Sequence, residues 1–238
     1  MTHLILELHM ISWLGITSLG SVTVMTPAAA AIAGWLALNR AWTRVLWWCL
    51  FFIGTSLLVV ATKIAFIGWG LGIQSLDFTG FSGHVMRAAM VAPVLFYLML
   101  QKASSLFRRS GIALGLTFGI LIGFSRLEVH AHSVSESVSG WGLGAIVSLG
   151  FIWLLSTSPK IKLNRWVVVV SLIGLLVTPY IPHVPTQSWI TQVALYLSGH
   201  DRPYIRASWK LAPVNLYGTA YRPWAGSAGA HAVAHQIK

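Results

Sequence analysis

Two segments of this sequence carry residue types that bind and transform anions, and the first runs from Lys63 to His84. It reads KIAFIGWGLGIQSLDFTGFSGH, with five glycines between the lysine and the histidine. Glycine-rich backbone turns successive N–H groups toward one anion, and lysine adds positive charge and hydrogen-bond donors. Histidine exchanges a proton near neutral pH. The segment therefore predicts one half of an anion site with an acid or base beside it.

The second segment reads SRLEVHAHSVSE, covers residues 125–136, and adds Arg126 and two histidines. His132 and Glu136 are four residues apart, so they share a face if a helix begins near His132, and the carboxylate then orients the ring. Two histidines divide nucleophilic and acid roles. His130 lies two residues before His132 and points elsewhere on such a helix. A metal site remains an alternative here, but no clear outer ligands accompany these residues, so we expect no metal and no other cofactor.

These segments interrupt a chain whose composition is that of a membrane protein. Apolar types make up 56% of its 238 residues and charged types 9%, and the mean hydropathy is +0.73. Soluble domains carry about 25% charged residues. Backbone groups in lipid must be hydrogen-bonded within their own segment, so the long apolar runs are predicted helices. An ionisable group near hydrocarbon costs about 2.5–3.5 kcal/mol on insertion scales, so the groups in both segments are predicted to be functional or paired.

Six apolar runs are long enough to cross about 30 Å of hydrocarbon, which needs about 20 residues. They lie at roughly 19–39, 45–66, 84–104, 111–127, 135–157 and 165–184. The predicted fold is an all-α, polytopic membrane helical bundle of about six transmembrane helices. A seventh apolar stretch, residues 3–18, contains Glu7 and His9, which leaves open whether it spans the membrane or lies along the interface.

The basic residues predict the orientation of the bundle. They concentrate in alternate linkers, namely Arg40 and Arg44 in the first, Lys102, Arg108 and Arg109 in the third, and Lys160, Lys162 and Arg165 in the fifth. Short loops rich in lysine and arginine stay in the cytoplasm. This distribution, and not nucleic-acid binding, accounts for the formal charge of +11. Because the chain crosses the membrane once between successive linkers, this parity places the second and fourth linkers together on the opposite face. These two linkers hold the two segments.

The C-terminal residues differ in composition from the rest of the chain. We divide the chain into a transmembrane bundle, residues 1–185, and a C-terminal non-cytoplasmic tail, residues 186–238. The tail holds Trp189, Trp209 and Trp224 with four tyrosines, and its run WITQVALYL predicts a short interfacial helix. Two interpretations of the tail stay open. It is either loosely ordered near the lipid headgroups or a cap that selects the substrate.

The order of these residues resembles the motifs of the type 2 phosphatidic acid phosphatase superfamily, in its membrane lipid phosphatase branch. The third motif of that family is Ser-Arg, five residues, His, three residues, Asp, and residues 125–136 follow it with a final glutamate. The second motif is Pro-Ser-Gly-His, and residues 81–84 read FSGH. The resemblance covers residues 63–136 and extends to the helices around them.

Three positions depart from the pattern of that family. Glu136 stands where aspartate is usual, which keeps the charge and adds a methylene. Phe81 replaces the proline of the second motif. The first motif is a lysine followed by Arg-Pro, but here Lys63 is followed by Gly-Leu at residues 70–71. Arg87, one helical turn after the histidine of the second motif, is a candidate to replace the missing arginine.

The resemblance implies a catalytic mechanism. His132 attacks phosphorus in line and forms a phosphohistidine, Glu136 holds its ring in the reactive tautomer, and His84 protonates the leaving group. The phosphoryl oxygens are then held by Lys63, Arg126 and the backbone N–H groups near Ser82 and Gly83, with Arg87 as a further ligand. No metal takes part in this scheme.

The predicted function is therefore that of an integral membrane phosphatase that hydrolyses a lipid phosphate or diphosphate, in a bacterial inner membrane, with its site facing the periplasm or exterior. Membrane lipids and a lipid phosphate are the expected partners. A phosphotransferase with the same site, and a non-catalytic lipid-binding or transport protein, are the alternatives. The sequence selects neither the lipid nor the oligomeric state.

Overall fold

The structure is a computed structural model that describes residues 12–178, 185–207 and 209. Its helices are α1, described over 12–19, then α2 Val22–Leu38, α3 Trp42–Trp69, α4 Gly83–Leu100, α5 Ser105–Glu128, α6 Val134–Ser156, α7 Arg165–Val177 and α8 Thr186–Ser198. One 3₁₀ turn, Gln74–Leu76, lies between α3 and α4. The described residues contain no strand beyond an isolated bridge between Ile73 and Phe78. The predicted all-α class is confirmed.

Five helical stretches in the described part of the chain are long and apolar enough to cross a membrane: Ser12–Leu38, Trp42–Trp69, Gly83–Leu100, Ser105–Glu128 and Val134–Ser156. The sixth predicted run forms α7, which has 13 residues. Residues 179–184 at the end of that run lie outside the described residues. The predicted helical membrane bundle is thus confirmed, with five candidate spans in the described residues and a shorter apolar helix at the sixth predicted run.

The seventh apolar stretch, residues 3–18, is described only from residue 12. Residues 12–19 are helical and form one candidate span with α2. The helix is interrupted at Gly20 and Ser21, where the Gly20 amide donates to the Thr17 carbonyl oxygen at 3.1 Å. The described part of this stretch therefore extends the first span.

Helix α4 is the centre of the bundle, because glycines on both neighbouring helices let their backbones approach it. A Cβ at Gly115 of α5 would overlap the backbone of Pro93, and a Cβ at Gly144 of α6 would overlap the carbonyl oxygen of Met86. Small residues at such contacts let membrane helices pack closely. Val85, Met86 and Val94 of α4 are wholly buried as a result. The helix that begins at Gly83, with the second motif at its start, is therefore packed closely between α5 and α6.

The linkers meet at two ends of the bundle, as parity predicts. At one end, Arg44 Nη1 donates to the Pro159 carbonyl oxygen at 2.9 Å, and Gln101 Nε2 donates to the Ile161 carbonyl oxygen at 2.7 Å. These contacts join the first, third and fifth linkers, and we call this the basic end. At the other, the site end, Ser135 Oγ donates to the Leu76 carbonyl oxygen at 2.7 Å. That contact joins the second linker to the fourth.

The described part of the tail also lies at the site end. Helix α8 packs along the last turns of α3, where Ala194 is wholly buried beside Phe66 and Ile67. Beyond α8, the Tyr204 amide donates to the Ile67 carbonyl oxygen at 2.9 Å. The predicted short helix at WITQVALYL is confirmed within Thr186–Ser198.

Candidate active site

A cavity of about 700 Å³ opens at the site end, between the bundle and the tail. Most of the predicted site residues line it: Lys63, Gly83, His84, Arg87, Arg126, His132 and Glu136. They come from α3, α4, α5, α6 and the loop before α6. Two segments that are more than 40 residues apart in the chain thus share one concave surface.

His132 contacts Glu136 directly, with its Nδ1 at 2.7 Å from Oε2 of the carboxylate. Helix α6 begins at Val134 with Ser133 as its N-cap, so His132 lies just before the helix and not in its first turn. The predicted contact forms because Glu136 reaches back in a capping box, in which its Oε2 accepts from the Ser133 amide at 3.2 Å. His132 is therefore held from a loop by the first turn of the next helix.

The carboxylate of Glu136 is wholly buried and surrounded by donors. Its Oε1 accepts from the Thr79 amide at 2.8 Å, from the Thr79 hydroxyl, and from Arg206 Nη2 at 2.7 Å. Its Oε2 is left for His132 and the helix cap. Because an ionised carboxylate only accepts, the Nδ1 of His132 must carry the shared proton. The Nε2 of the neutral ring then has a free lone pair.

Burial lowers the pKa of His132 below its usual value of 6.5, and the hydrogen bond to Glu136 opposes this shift. The positive charges of Lys63 and Arg126 also lower the pKa. An imidazole with a lowered pKa is neutral at pH 7, which is the state that a nitrogen nucleophile requires. The ring is therefore ready to attack without first losing a proton.

Three cations from three helices line the same cavity as this imidazole. They are Lys63 of α3, Arg87 of α4 and Arg126 of α5. The Nε atoms of Arg87 and Arg126 are buried and have no hydrogen-bond partner among the residues that the structure describes. Arg126 donates through Nη1 to the Thr17 hydroxyl at 3.2 Å, a neutral partner. Buried donors in a native protein are normally satisfied, so this arrangement fits a multivalent anion such as phosphate.

The N-terminus of α4 adds backbone donors to the same cavity. Helix α4 begins at Gly83, so the first amides of the helix have no acceptor within it. A Cβ at Gly83 would lie 3.2 Å from Nη1 of Arg87, which shows that the guanidinium folds back over this turn. His84 follows and lines the same cavity as His132. A helix N-terminus beside a guanidinium is a ready anion site.

Ser82 does not take the place predicted for it. Its amide donates to the Glu136 carbonyl oxygen at 3.1 Å, so that N–H group is already engaged. Its side chain is wholly buried and does not line the cavity. A Cβ at Gly140 of α6 would lie 2.7 Å from the Ser82 carbonyl oxygen. Ser82 therefore ties the start of α4 to α6, and Gly83 is the residue of this pair that faces the cavity.

The degraded first motif also has a structural explanation. Gly70 caps the C-terminus of α3 in the left-handed conformation, with φ of 70°, which glycine adopts without strain. It does not line the cavity, whereas Arg87 does. The candidate replacement arginine, and not residue 70, thus shares the cavity with Lys63.

Sequence reasoning missed Arg206, which reaches Glu136 from the tail. No motif spacing connects residues 136 and 206, and the only available signal was the parity that places the tail at this end. His130 is exposed, lies at the edge of the cavity and has φ of 52°. Within the described ranges, no three His, Cys, Asp or Glu side chains are grouped so that they could hold a metal ion.

The chain is similar to a known protein family and to two bacterial proteins. A family model described as the PAP2 superfamily matches residues 70–160. A Klebsiella pneumoniae protein named "Uncharacterized 22.5 kDa protein in cps region" is 36% identical over 200 residues, which cover 82% of this chain and 96% of that protein. The phosphatidylglycerophosphatase B of Bacillus subtilis (strain 168) is 26% identical over 159 residues, which cover 63% of this chain and 76% of that protein. No solved structure matches the chain.

Proposed function

Because this chain belongs to the PAP2 superfamily, we propose that it hydrolyses a lipid phosphate or diphosphate through a phosphohistidine intermediate. Its family and its apolar helices make it a membrane phosphatase of that superfamily. One observation carries the proposal of a phosphohistidine. The ring of His132, oriented by Glu136 at 2.7 Å, lines the same cavity as three cations that have no carboxylate partner among the described residues.

The first chemical step is attack by Nε2 of His132 on phosphorus. As the N–P bond forms, the bond from phosphorus to the leaving oxygen breaks, and His84 gives that oxygen a proton. Glu136 stabilises the positive charge that develops on the His132 ring, through the hydrogen bond at Nδ1. The products of this step are a phosphohistidine and the released alcohol or phosphate.

The second step returns the enzyme to its starting state. A water molecule attacks phosphorus, His84 accepts a proton from it, and the N–P bond breaks to release inorganic phosphate. In both steps Lys63, Arg87 and Arg126 hold the equatorial oxygens, where the charge of the transition state lies. The first amides of α4 add donors from the other side.

The apolar part of the cavity supports a lipid substrate. Val22 of α2, Val59 and Phe66 of α3, and Ile190 of α8 line it beside the cations. A phosphate ester with an acyl or prenyl chain would place its charged group among the cations and its chain against this wall. The name of the Bacillus subtilis relative makes phosphatidylglycerol phosphate the first lipid to test.

The orientation that we propose places the site end outside the cytoplasm of a bacterial inner membrane. It rests on the three basic linkers that meet at the opposite end. In a Cys49→Ala background, a cysteine at exposed position Asp201 should react with an impermeant maleimide on intact cells. A cysteine at exposed position Lys102 should react only after permeabilisation, and the reverse pattern would invert the proposed topology.

Phosphate release from defined lipids tests the proposed activity. The purified protein, in detergent with EDTA, should release phosphate from at least one of phosphatidylglycerol phosphate, phosphatidic acid, polyprenyl diphosphate and lipid A, and vanadate should inhibit the release. His132→Ala should lower the rate by at least about 1,000-fold, since it removes the nucleophile.

The matched control for this variant is His130→Ala, which removes an exposed histidine two residues away and should retain the wild-type rate within a few fold. Activity that survives in His132→Ala would refute the phosphohistidine. A phosphorylated product that replaces free phosphate when an acceptor lipid is added would identify a phosphotransferase instead.

A further inference from the structure

The C-terminal segment is built onto the bundle by close backbone packing. Helix α8 lies against α3 so tightly that a Cβ at Gly68 would be 3.1 Å from the Ala194 carbonyl oxygen. Phe66 packs edge-on against Trp209, with ring centroids 5.2 Å apart. Lys63 Nζ approaches Gln187 Oε1 of α8 at 3.5 Å. These contacts make the described tail part of the cavity wall and contradict the interpretation of a loosely ordered tail for those residues.

The chain after α8 crosses the end of α3 at the degraded first motif. A Cβ at Gly70 would lie 2.9 Å from Cδ1 of Tyr204, so the Tyr204 ring occupies the space that a side chain at residue 70 would need. The Tyr204 amide is bonded to the Ile67 carbonyl oxygen at 2.9 Å. A larger residue at position 70 would therefore clash with the Tyr204 ring on the observed path of the tail. Two residues further on, this path delivers Arg206 to the cavity.

Arg206 bridges two acidic residues from different parts of the bundle. Its Nη2 lies 2.7 Å from Oε1 of Glu136, and its Nε lies 3.2 Å from Oδ1 of Asp77 in the linker between α3 and α4. The Glu136 side chain is 1% exposed, and a buried carboxylate is costly without a charged or hydrogen-bonding partner. Arg206 thus has two carboxylate partners, although its Nε makes no well-aligned hydrogen bond, whereas Lys63, Arg87 and Arg126 have no carboxylate partner among the described residues.

We propose that Arg206 is a positioning residue for catalysis, which locks Glu136 against His132 and so makes the C-terminal segment part of the active site. This inference rests on the proposed function. A carboxylate can rotate about its last bond, but donors on Oε1 from Arg206 and Thr79 leave only Oε2 to face His132. Arg206 contacts no reacting atom and acts through Glu136.

The charge of Arg206 also reaches His132 indirectly. Burial lowers the pKa of His132, the bond to Glu136 raises it, and Lys63 and Arg126 lower it, while His84 and Arg87 line the same cavity. Arg206 takes up part of the Glu136 charge. Its removal would strengthen the pull of the carboxylate on the imidazole proton and raise the pKa of His132. Since the neutral ring is the nucleophile, the acid limb of the activity profile would move to higher pH.

The test compares Arg206→Ala, Arg206→Lys and the matched control Arg202→Ala, which removes an exposed arginine from the same segment. The substrate is phosphatidylglycerol phosphate, or the lipid that the wild-type protein hydrolyses fastest. Arg206→Ala should lower kcat by about 10- to 100-fold, the range found at metal sites when a partner that orients a ligand is lost, with KM changed by less than about threefold. Its acid limb should move up by at least about half a pH unit.

Arg206→Lys should recover most of kcat and return the limb toward wild type, because it restores the positive charge, and Arg202→Ala should match wild type in both. Wild-type kcat and pH profile in Arg206→Ala would overturn the inference. So would a loss of kcat with no movement of the limb and no recovery in Arg206→Lys, since that pattern marks a role in folding alone. A wild-type protein that releases no phosphate, or an active His132→Ala, would instead refute the proposed function.

Discussion

The two ends of the bundle both concentrate basic residues, but they use them differently. At the basic end Lys102, Arg109 and Lys160 are exposed to solvent. At the site end Arg87 and Arg126 are partly buried, and their Nε atoms have no partner among the described residues. Exposed cations are satisfied by water and headgroups. Buried cations that converge from different helices are satisfied only by an anion that binds among them.

The side chains that tie each end together differ in the same way. Bonds to backbone groups hold the basic end: Gln101 exchanges two hydrogen bonds with the Ile161 backbone at 2.7 and 3.0 Å, Asn39 accepts from the Lys162 amide at 2.9 Å, and Arg44 donates to the Pro159 carbonyl oxygen. A charged carboxylate holds the site end, where Glu136 joins His132, Thr79 and Arg206. A net positive charge therefore does not identify an anion site. What identifies one is a set of cationic side chains that converge from different helices, are partly buried and have no carboxylate partner among the described residues.

The largest expected difference in activity between variants at the two ends comes from a pair of arginine substitutions. Arg87→Ala at the site end should lower kcat/KM for phosphate release by about 100-fold, the usual cost of losing one buried donor to a transition-state oxyanion. Arg108→Ala, in the first turn of α5 at the basic end, removes another partly buried arginine and should leave kcat/KM unchanged. Equal effects of the two variants would remove the distinction between the ends.

A smaller effect is expected on the pH at which the largely buried His132 imidazole at the site end gains a proton. Because burial lowers the pKa of His132, its ring should stay neutral and reactive as the pH falls below 6.5. The rate at which diethyl pyrocarbonate modifies His132, followed by mass spectrometry of its peptide, should have its midpoint below pH 6.5. Vanadate should slow this modification. A midpoint above pH 6.5 would mean that Glu136 outweighs burial and the neighbouring cations.

The smallest expected effect on activity comes from the tie at the basic end. Gln101→Leu leaves the buried N–H and C=O groups of Ile161 without partners, which costs about 1–3 kcal/mol of stability. The melting temperature in detergent should fall, while kcat of the folded protein stays at the wild-type value. Lys102→Ala, at the exposed neighbouring residue, should change neither. A fall in kcat for Gln101→Leu would show that the ends are coupled.

Much of the fold was predictable because its causes are local. Apolar length and low charge predict the helices, and the alternation of basic linkers predicts which linkers meet. The spacing of His132 and Glu136 predicted their contact, although the helix begins at Val134 rather than at the histidine. Where a helix begins depends on which residue caps it, here Ser133. A hydropathy pattern does not show which of several neighbouring residues forms the cap.

The partners of individual donors were not predictable. The Ser82 amide was expected to face phosphate, but it bonds to the Glu136 carbonyl oxygen. Whether a backbone N–H group faces a cavity or a neighbouring helix depends on how closely those helices pack, here through Gly140. The position of Arg87 was a hypothesis from one helical turn, and the structure places its side chain in the cavity.

By itself, the sequence determined that this chain lies in a membrane as a helical bundle and that His84, Arg126, His132 and Glu136 belong to one end of it, because hydrophobic length and charge act locally along a chain. Only the tertiary structure decided that the tail returns over Gly70 to bring Arg206 to Glu136. Contacts between residues 70 positions apart arise from packing in three dimensions, and no local pattern in one sequence records them.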